Sequence, residues 1–170
     1  DVIILDYVNY NSYFKGAYDP NRIVPPSCYA IGKIIEDLKP GANAGEPQHD
    51  NCPTCARNQW KSAPTGRGKA CKNSVRLAVI PADATKDTMP MTLTISPTAL
   101  ESFDVFVKNV ARAFNAPPIR VIAKVSFNPN LAYPSLVFSD PGLHGNMEIA
   151  MLLRPLATEM LLKEPDANQG

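Results

Sequence analysis

Cys52-Pro53-Thr54-Cys55, with Gly66-Arg67-Gly68-Lys69-Ala70-Cys71 behind it, lies in a chain of 170 residues that contains four cysteines in all. The remaining one is Cys28. In a Cys-x-x-Cys pair two thiolates can turn toward one ion, and Cys28 and Cys71 stand at separations from which loop return closes a tetrahedron. Ala56 to Ala70 is poor in aliphatic residues and rich in glycine and positive charge, so no hydrophobic core can fix it. A metal is the economical alternative, and the zinc-ribbon spacing points to a structural Zn2+ on Cys28, Cys52, Cys55 and Cys71. A four-thiolate iron–sulfur cluster fits the same residues. Paired disulfides suit smaller secreted chains that lack a core. A redox Cys-x-x-Cys would open a helix after a strand, and Pro53 with no strand run before Cys52 argues against it. His49 is an alternative ligand in place of Cys28, beside its plainer reading as an exposed loop histidine.

The bulk composition, 45% hydrophobic and 19% charged, is that of a globular protein long enough to bury a core. A single domain is expected over residues 1–163, with a polar, frayed tail at 164–170. No apolar run approaches the length of a membrane span, so no membrane partner is expected, and no secretory signal is visible. Seventeen prolines indicate short elements and many loops.

Outward from the cysteines, Val2-Ile3-Ile4-Leu5 reads as a buried strand, trailed by Tyr7, Tyr10 and Tyr13. Cys28 to Gly32 reads as a short strand that delivers Cys28. Arg76 to Ile80 and Met91 to Ile95 are further strands, the second alternating in the strand period. Ser96-Pro97 opens a helix, with serine suited to the N-cap and proline to the first position. Leu100, Phe103, Val107, Val110 and Phe114 give it one apolar face. Ile119 to Phe127 and Tyr133 to Phe138 form an antiparallel pair across Asn128-Pro129-Asn130. Met147 to Leu162 is helical in composition, kinked or split at Pro155. Five or so strands without βαβ alternation predict a mainly β fold with helices (α+β). The expected form is an OB-like Greek-key barrel carrying the zinc knuckle as an insertion over about residues 40–75, with a C-terminal helix.

Charge is distributed unevenly. Asn51 to Ile80 holds six basic residues (Arg57, Lys61, Arg67, Lys69, Lys72, Arg76) and no acidic one, while the other eleven basic residues face sixteen acidic ones. Trp60 lies inside this strip. Cations that follow phosphates and an aromatic face for bases are the equipment of single-strand binding. A solvated basic loop is the blander reading, and Trp60 could simply pack over the metal. Gly66-Arg67-Gly68-Lys69 fails as a nucleotide-binding loop, because Ala63 and Ala70 stand where that pattern needs glycine and Ser or Thr. Neither His49 nor His144 has an acid–nucleophile arrangement nearby, and four thiolates close a zinc's coordination, so no enzyme is expected.

The run Cys52-Pro53-Thr54-Cys55, Asn58-Gln59-Trp60, Gly66-Arg67-Gly68-Lys69-Ala70-Cys71 and Arg76-Leu77-Ala78-Val79 resembles a family of small, uncharacterised bacteriophage proteins. Ser96 to Leu100 and Phe127-Asn128-Pro129 are similar to the same proteins. The ligand order, one distant residue, a Cys-x-x-Cys and a last cysteine, is also similar to phage single-stranded DNA-binding proteins that insert a zinc subdomain into an OB fold. This sequence differs from them in having cysteine at the first place. The resemblance implies a replication or recombination accessory in the cytoplasm of an infected bacterium. Its ligand would be single-stranded DNA, with RNA compatible, and its proposed contacts Arg57, Trp60, Lys61, Arg67, Lys69, Lys72 and Arg76. The alternative is an interaction module whose metal loop docks on a replication or host protein.

Overall fold

Val2-Ile3-Ile4-Leu5 opens a strand that continues well past its apolar run. In the computed structural model, which describes residues 1–17, 19, 21–22 and 24–165, β1 spans Val2–Tyr13. It is followed by β2 (Cys28–Gly32), β3 (Lys72–Pro81), β4 (Met91–Ile95), α1 (Leu100–Phe114), β5 (Val121–Phe127), β6 (Leu136–Leu143) and α2 (Met147–Leu162). β1 keeps its extended form because it has partners along its length. Val2 and Ile3 lie opposite Ala123 and Ile122 of β5, and Asn9 to Tyr13 lie opposite Gly32 to Cys28 of β2, both antiparallel. β3 and β4 pair from Val75↔Ile95 to Val79↔Met91, and β5 and β6 meet at Phe127↔Leu136. The turn between the last two is set by Asn128, whose N–H donates to the Ser135 carbonyl and whose carboxamide oxygen accepts from the Asn130 N–H.

The fold is therefore α+β, but its sheet is open rather than a closed OB-like barrel. The strand order is β4-β3-β1-β5-β6, with β2 beside β1. The reason lies in how the sheet's apolar face is covered. A barrel buries that face against itself, whereas here α1 covers it. Phe103, Phe106 and Val110 of α1 pack with Ile4, Val75, Leu77, Val79, Val121, Ala123 and Phe138. The Phe103 ring meets Tyr7 and Phe138 edge-on, each at a centroid distance of 5.4 Å. Ile3, Leu5, Ala78 and Ile80 are buried as well.

α1 begins after one 3-10 turn, Pro97–Ala99, and the Ser96 hydroxyl faces the Thr98 hydroxyl at 3.0 Å instead of capping a backbone N–H. It ends at Asn115, held in the left-handed region at φ 47°, as a C-terminal stop requires. Phe106, outside the expected apolar stripe, is also buried. α2 runs through Pro155 without splitting. Pro155 and Met151 are both exposed, so water can satisfy the Met151 carbonyl left without its N–H donor. Thr158 of α2 donates to the Asp6 carboxylate at 2.7 Å.

The chain divides into two compact units, Asp1–Tyr7 with Ser74–Leu161, and Val8–Asn73 with the residues after Leu161. The first holds the core just described. In the second, Ala30, Leu38 and Cys52 form an apolar cluster, and Val8, Tyr13 and Tyr29 are buried as well. Backbone bonds tie its loops: Gly41 N–H to the Tyr29 carbonyl at 2.9 Å, Glu46 N–H to the Ser27 carbonyl at 2.7 Å and Cys52 N–H to the Leu38 carbonyl at 2.9 Å. Gly41 lies so close to the Tyr29 ring that a Cβ there would stand 2.4 Å from Cε2. Of the expected frayed tail, 166–170 lies outside the described residues, and Glu164 accepts a hydrogen bond from Asn43 Nδ2.

Two substitutions test this division. Phe103→Ala should cost the first unit about 3–5 kcal/mol in chemical denaturation, as for large buried aromatics. Gly41→Ala should cost roughly 1–3 kcal/mol through overpacking against the buried Tyr29. Its effect should appear in hydrogen exchange of Val8–Asn73 and leave the β3–β4 amides protected.

Candidate functional site

Local backbone geometry gathers the cysteines. β2 begins with Cys28, and its register places that residue opposite Tyr13. Cys52 opens a tight turn in which the Cys55 N–H donates to the Cys52 carbonyl at 3.3 Å and the Asn58 N–H to the Cys55 carbonyl at 2.9 Å. A 3-10 turn, Ala56–Asn58, follows. Cys71 ends the loop just before β3, its N–H donating to the Arg57 carbonyl at 2.8 Å. All four cysteines are free and line one cavity of about 20 Å³, together with Tyr13, His49 and Arg57. That volume suits a single water-sized particle.

Burial pushes the Cys71 thiol up to about 12 and the Cys52 thiol up to about 11, and neighbouring cysteines add to both. Lys69 draws Cys71 partly back. Both thiols are therefore protonated at neutral pH as the side chains stand. Among the described residues no three His, Cys, Asp or Glu side chains already form a metal-ligating group. The cysteines share a cavity but are not drawn in around a centre. His49 is an exposed loop histidine whose Nδ1 accepts from the Asn51 N–H at 3.1 Å.

The knuckle is clamped by side chains to which the sequence pattern assigned no structural role. Asn58, only 8% exposed, donates through Nδ2 to the Cys52 carbonyl at 2.9 Å. Gln59 Nε2 donates to the Pro53 and Cys55 carbonyls at 2.9 and 3.0 Å. The Ser62 hydroxyl donates to the Arg57 carbonyl at 2.8 Å and accepts from the Ala70 N–H at 2.9 Å. Three residues in the left-handed region, Lys61 (φ 69°), Gly66 (φ 68°) and Gly68 (φ 71°), turn the basic segment back on itself. The glycines supply backbone freedom rather than a phosphate cradle.

This folding leaves Trp60 76% exposed, with the Lys69 ammonium 5.8 Å from its ring centroid. Two further cations sit over aromatic rings: Arg57 over Tyr13 at 5.2 Å and Lys72 over Phe14 at 6.0 Å. About one such pair per 70–80 residues is usual, so three within Val8–Asn73 is a concentration. Arg57, Trp60, Lys61, Arg67, Lys69 and Lys72 all belong to this unit, and Lys61 and Arg67 are exposed. Arg76 belongs to the other unit, half-buried in β3 opposite Thr94. Tyr13 lies opposite Cys28 because β1 extends far enough to pair with β2, and Phe14 follows it.

In the first unit, His144 has both ring nitrogens engaged. Nε2 lies 2.8 Å from the Ile119 carbonyl oxygen, and Nδ1 accepts from the Asn146 N–H at 3.0 Å. Among the described residues no helix is long and apolar enough to cross a membrane. Comparison with protein-family models, with characterised proteins and with solved structures finds no match to this chain.

Proposed function

We propose that Val8–Asn73 is a single-stranded nucleic-acid-binding module whose loop is fixed by a structural Zn2+ on Cys28, Cys52, Cys55 and Cys71. The observation that carries this reading is the exposed Trp60, flanked by Lys69, inside a stretch, Asn51–Asn73, of five cations and no acid. An indole left in water forgoes the gain of burial, so its position favours a ligand that stacks. Phe14 with Lys72 offers a second ring and cation of the same kind. Bases would stack on the rings while Arg67, Lys61 and the ring-bound lysines meet phosphates. Replication or recombination in an infected bacterium is the setting that fits.

Zinc fits the donors present. Four thiols around a cavity of about 20 Å³ offer what a closed tetrahedral site uses, and Zn2+ would displace the protons of Cys52 and Cys71. A tetrathiolate zinc carries excess negative charge, which Arg57 beside the cavity and Lys69 near Cys71 would offset. The metal's contribution is to hold the loop, and the binding chemistry belongs to the side chains.

Elemental analysis should find about one zinc per chain, as one closed site requires, with protons released on zinc addition to the stripped protein. Cys55→Ser should lose the metal and loosen residues 46–71 while β3–β4 and α1 stay folded. Absence of any metal, or two disulfides by mass spectrometry, would contradict the zinc assignment.

Trp60 is the single tryptophan of the chain, so its quenching by oligo-dT reports stacking directly. Affinity should fall with salt at a slope of ~0.7 per phosphate contact, and Arg67→Ala should flatten that slope by about one contact. Trp60→Ala should cost ~1–3 kcal/mol at every salt concentration, and Phe14→Ala should weaken binding in the same salt-independent way. Absence of quenching and of salt-dependent binding would instead favour the protein-docking role.

A further inference from the structure

We infer that Asn58 is a positioning residue that sets the Trp60 stacking face from the cysteine knuckle, acting through Lys69. The inference deepens the nucleic-acid reading and rests on it for its functional meaning. Asn58 is a buried polar side chain in a loop whose neighbours on either side, Arg57 and Gln59, are exposed. Burying an amide without partners is costly, so both of its ends need satisfying. Nδ2 donates to the Cys52 carbonyl at 2.9 Å, and Oδ1 accepts from Lys69 Nζ at 3.4 Å. These partners fix the amide's orientation, because a carbonyl only accepts and an ammonium only donates. Lys69 is thereby anchored at its tip, and that same ammonium stands 5.8 Å from the Trp60 ring centroid.

The consequence is a line of contact from the backbone of Cys52 through Asn58 and Lys69 to the indole. With Lys69 over one face of Trp60, a base has the other face on which to stack. Without the Asn58 anchor the lysine would be a free, flexible cation, and its rotamer entropy would oppose returning to the ring. Only Oδ1 meets Lys69, so aspartate keeps the lysine's anchor while losing the bond to Cys52, and alanine keeps neither.

A double-mutant cycle over Asn58→Ala and Lys69→Ala, in protein purified with its metal content measured, tests this. The readouts are Trp60 emission without ligand and affinity for oligo-dT. Each single substitution should shift the emission in the same direction and weaken oligo-dT roughly two- to five-fold, the worth of one exposed cation–ring contact. The double variant should match Lys69→Ala alone in both readouts, since Asn58 reaches the indole only through that lysine. Additive effects in the cycle would overturn the inference, as would an unchanged emission in Asn58→Ala. If Asn58→Ala fails to fold, Asn58→Asp keeps the acceptor for Lys69 and should retain wild-type emission. An emission equal to that of Lys69→Ala would then overturn it. If the wild-type protein ignores oligo-dT, the nucleic-acid reading fails, and the emission cycle still decides whether Asn58 holds Lys69 over Trp60.

Discussion

Four cysteines line one small cavity, and the zinc proposed there is the constraint on which this reading of the second unit depends. The stretch from Lys33 to Cys71 connects β2 to β3, and among its described residues Leu38, Cys52 and Cys55 are buried. By contrast, Phe103, Phe106, Val110 and Phe138 anchor a continuous core in the first unit. Apolar burial at about 25 cal/mol per Å² works here against the entropy of ordering a long loop. The zinc proposed on Cys28, Cys52, Cys55 and Cys71 would close that loop and reduce its entropy cost directly. The carbonyls of Cys52, Cys55 and Arg57 are then the fixed points to which Asn58, Gln59, Ser62 and Cys71 bond.

From those fixed points follows the form of the basic surface. Left-handed turns at Lys61, Gly66 and Gly68 fold the segment tightly enough that Lys69 returns to Trp60. The register of β1 with β2 brings Tyr13 beside Cys28, where Arg57 lies over its ring. Cation–ring contacts at exposed positions are worth about 0.5–1 kcal/mol each, too little to define the fold. Their effect is to orient long, flexible cations, and an oriented cation loses less entropy when a phosphate arrives.

Much of this was legible in the sequence, for local reasons. β2 is a short run bounded by punctuation, β4 alternates apolar residues with threonines, and α1 is marked by its 3.6-residue period and its Asn115 stop. The length of β1 was not legible, because Asp6 to Tyr13 carries no apolar run and stays extended only through partners far along the chain. Barrel closure was misread for the same reason: where α1 lies over the sheet is a non-local outcome. Cysteine spacing disclosed the cavity. The burial of Asn58 had no sequence signal, since an asparagine between an arginine and a glutamine reads as an exposed turn. Arg76 was grouped with the loop cations by proximity along the chain, but it is a strand residue of the first unit.

Photocross-linking of the metal-containing protein to oligo-dT, with the linked peptides identified by mass spectrometry, tests the central claim most directly. The account predicts cross-links at Trp60 and Phe14, lost when the cysteines are stripped of metal. Cross-links confined to peptides of Ser74–Leu161, or a pattern at Trp60 indifferent to metal removal, would contradict it.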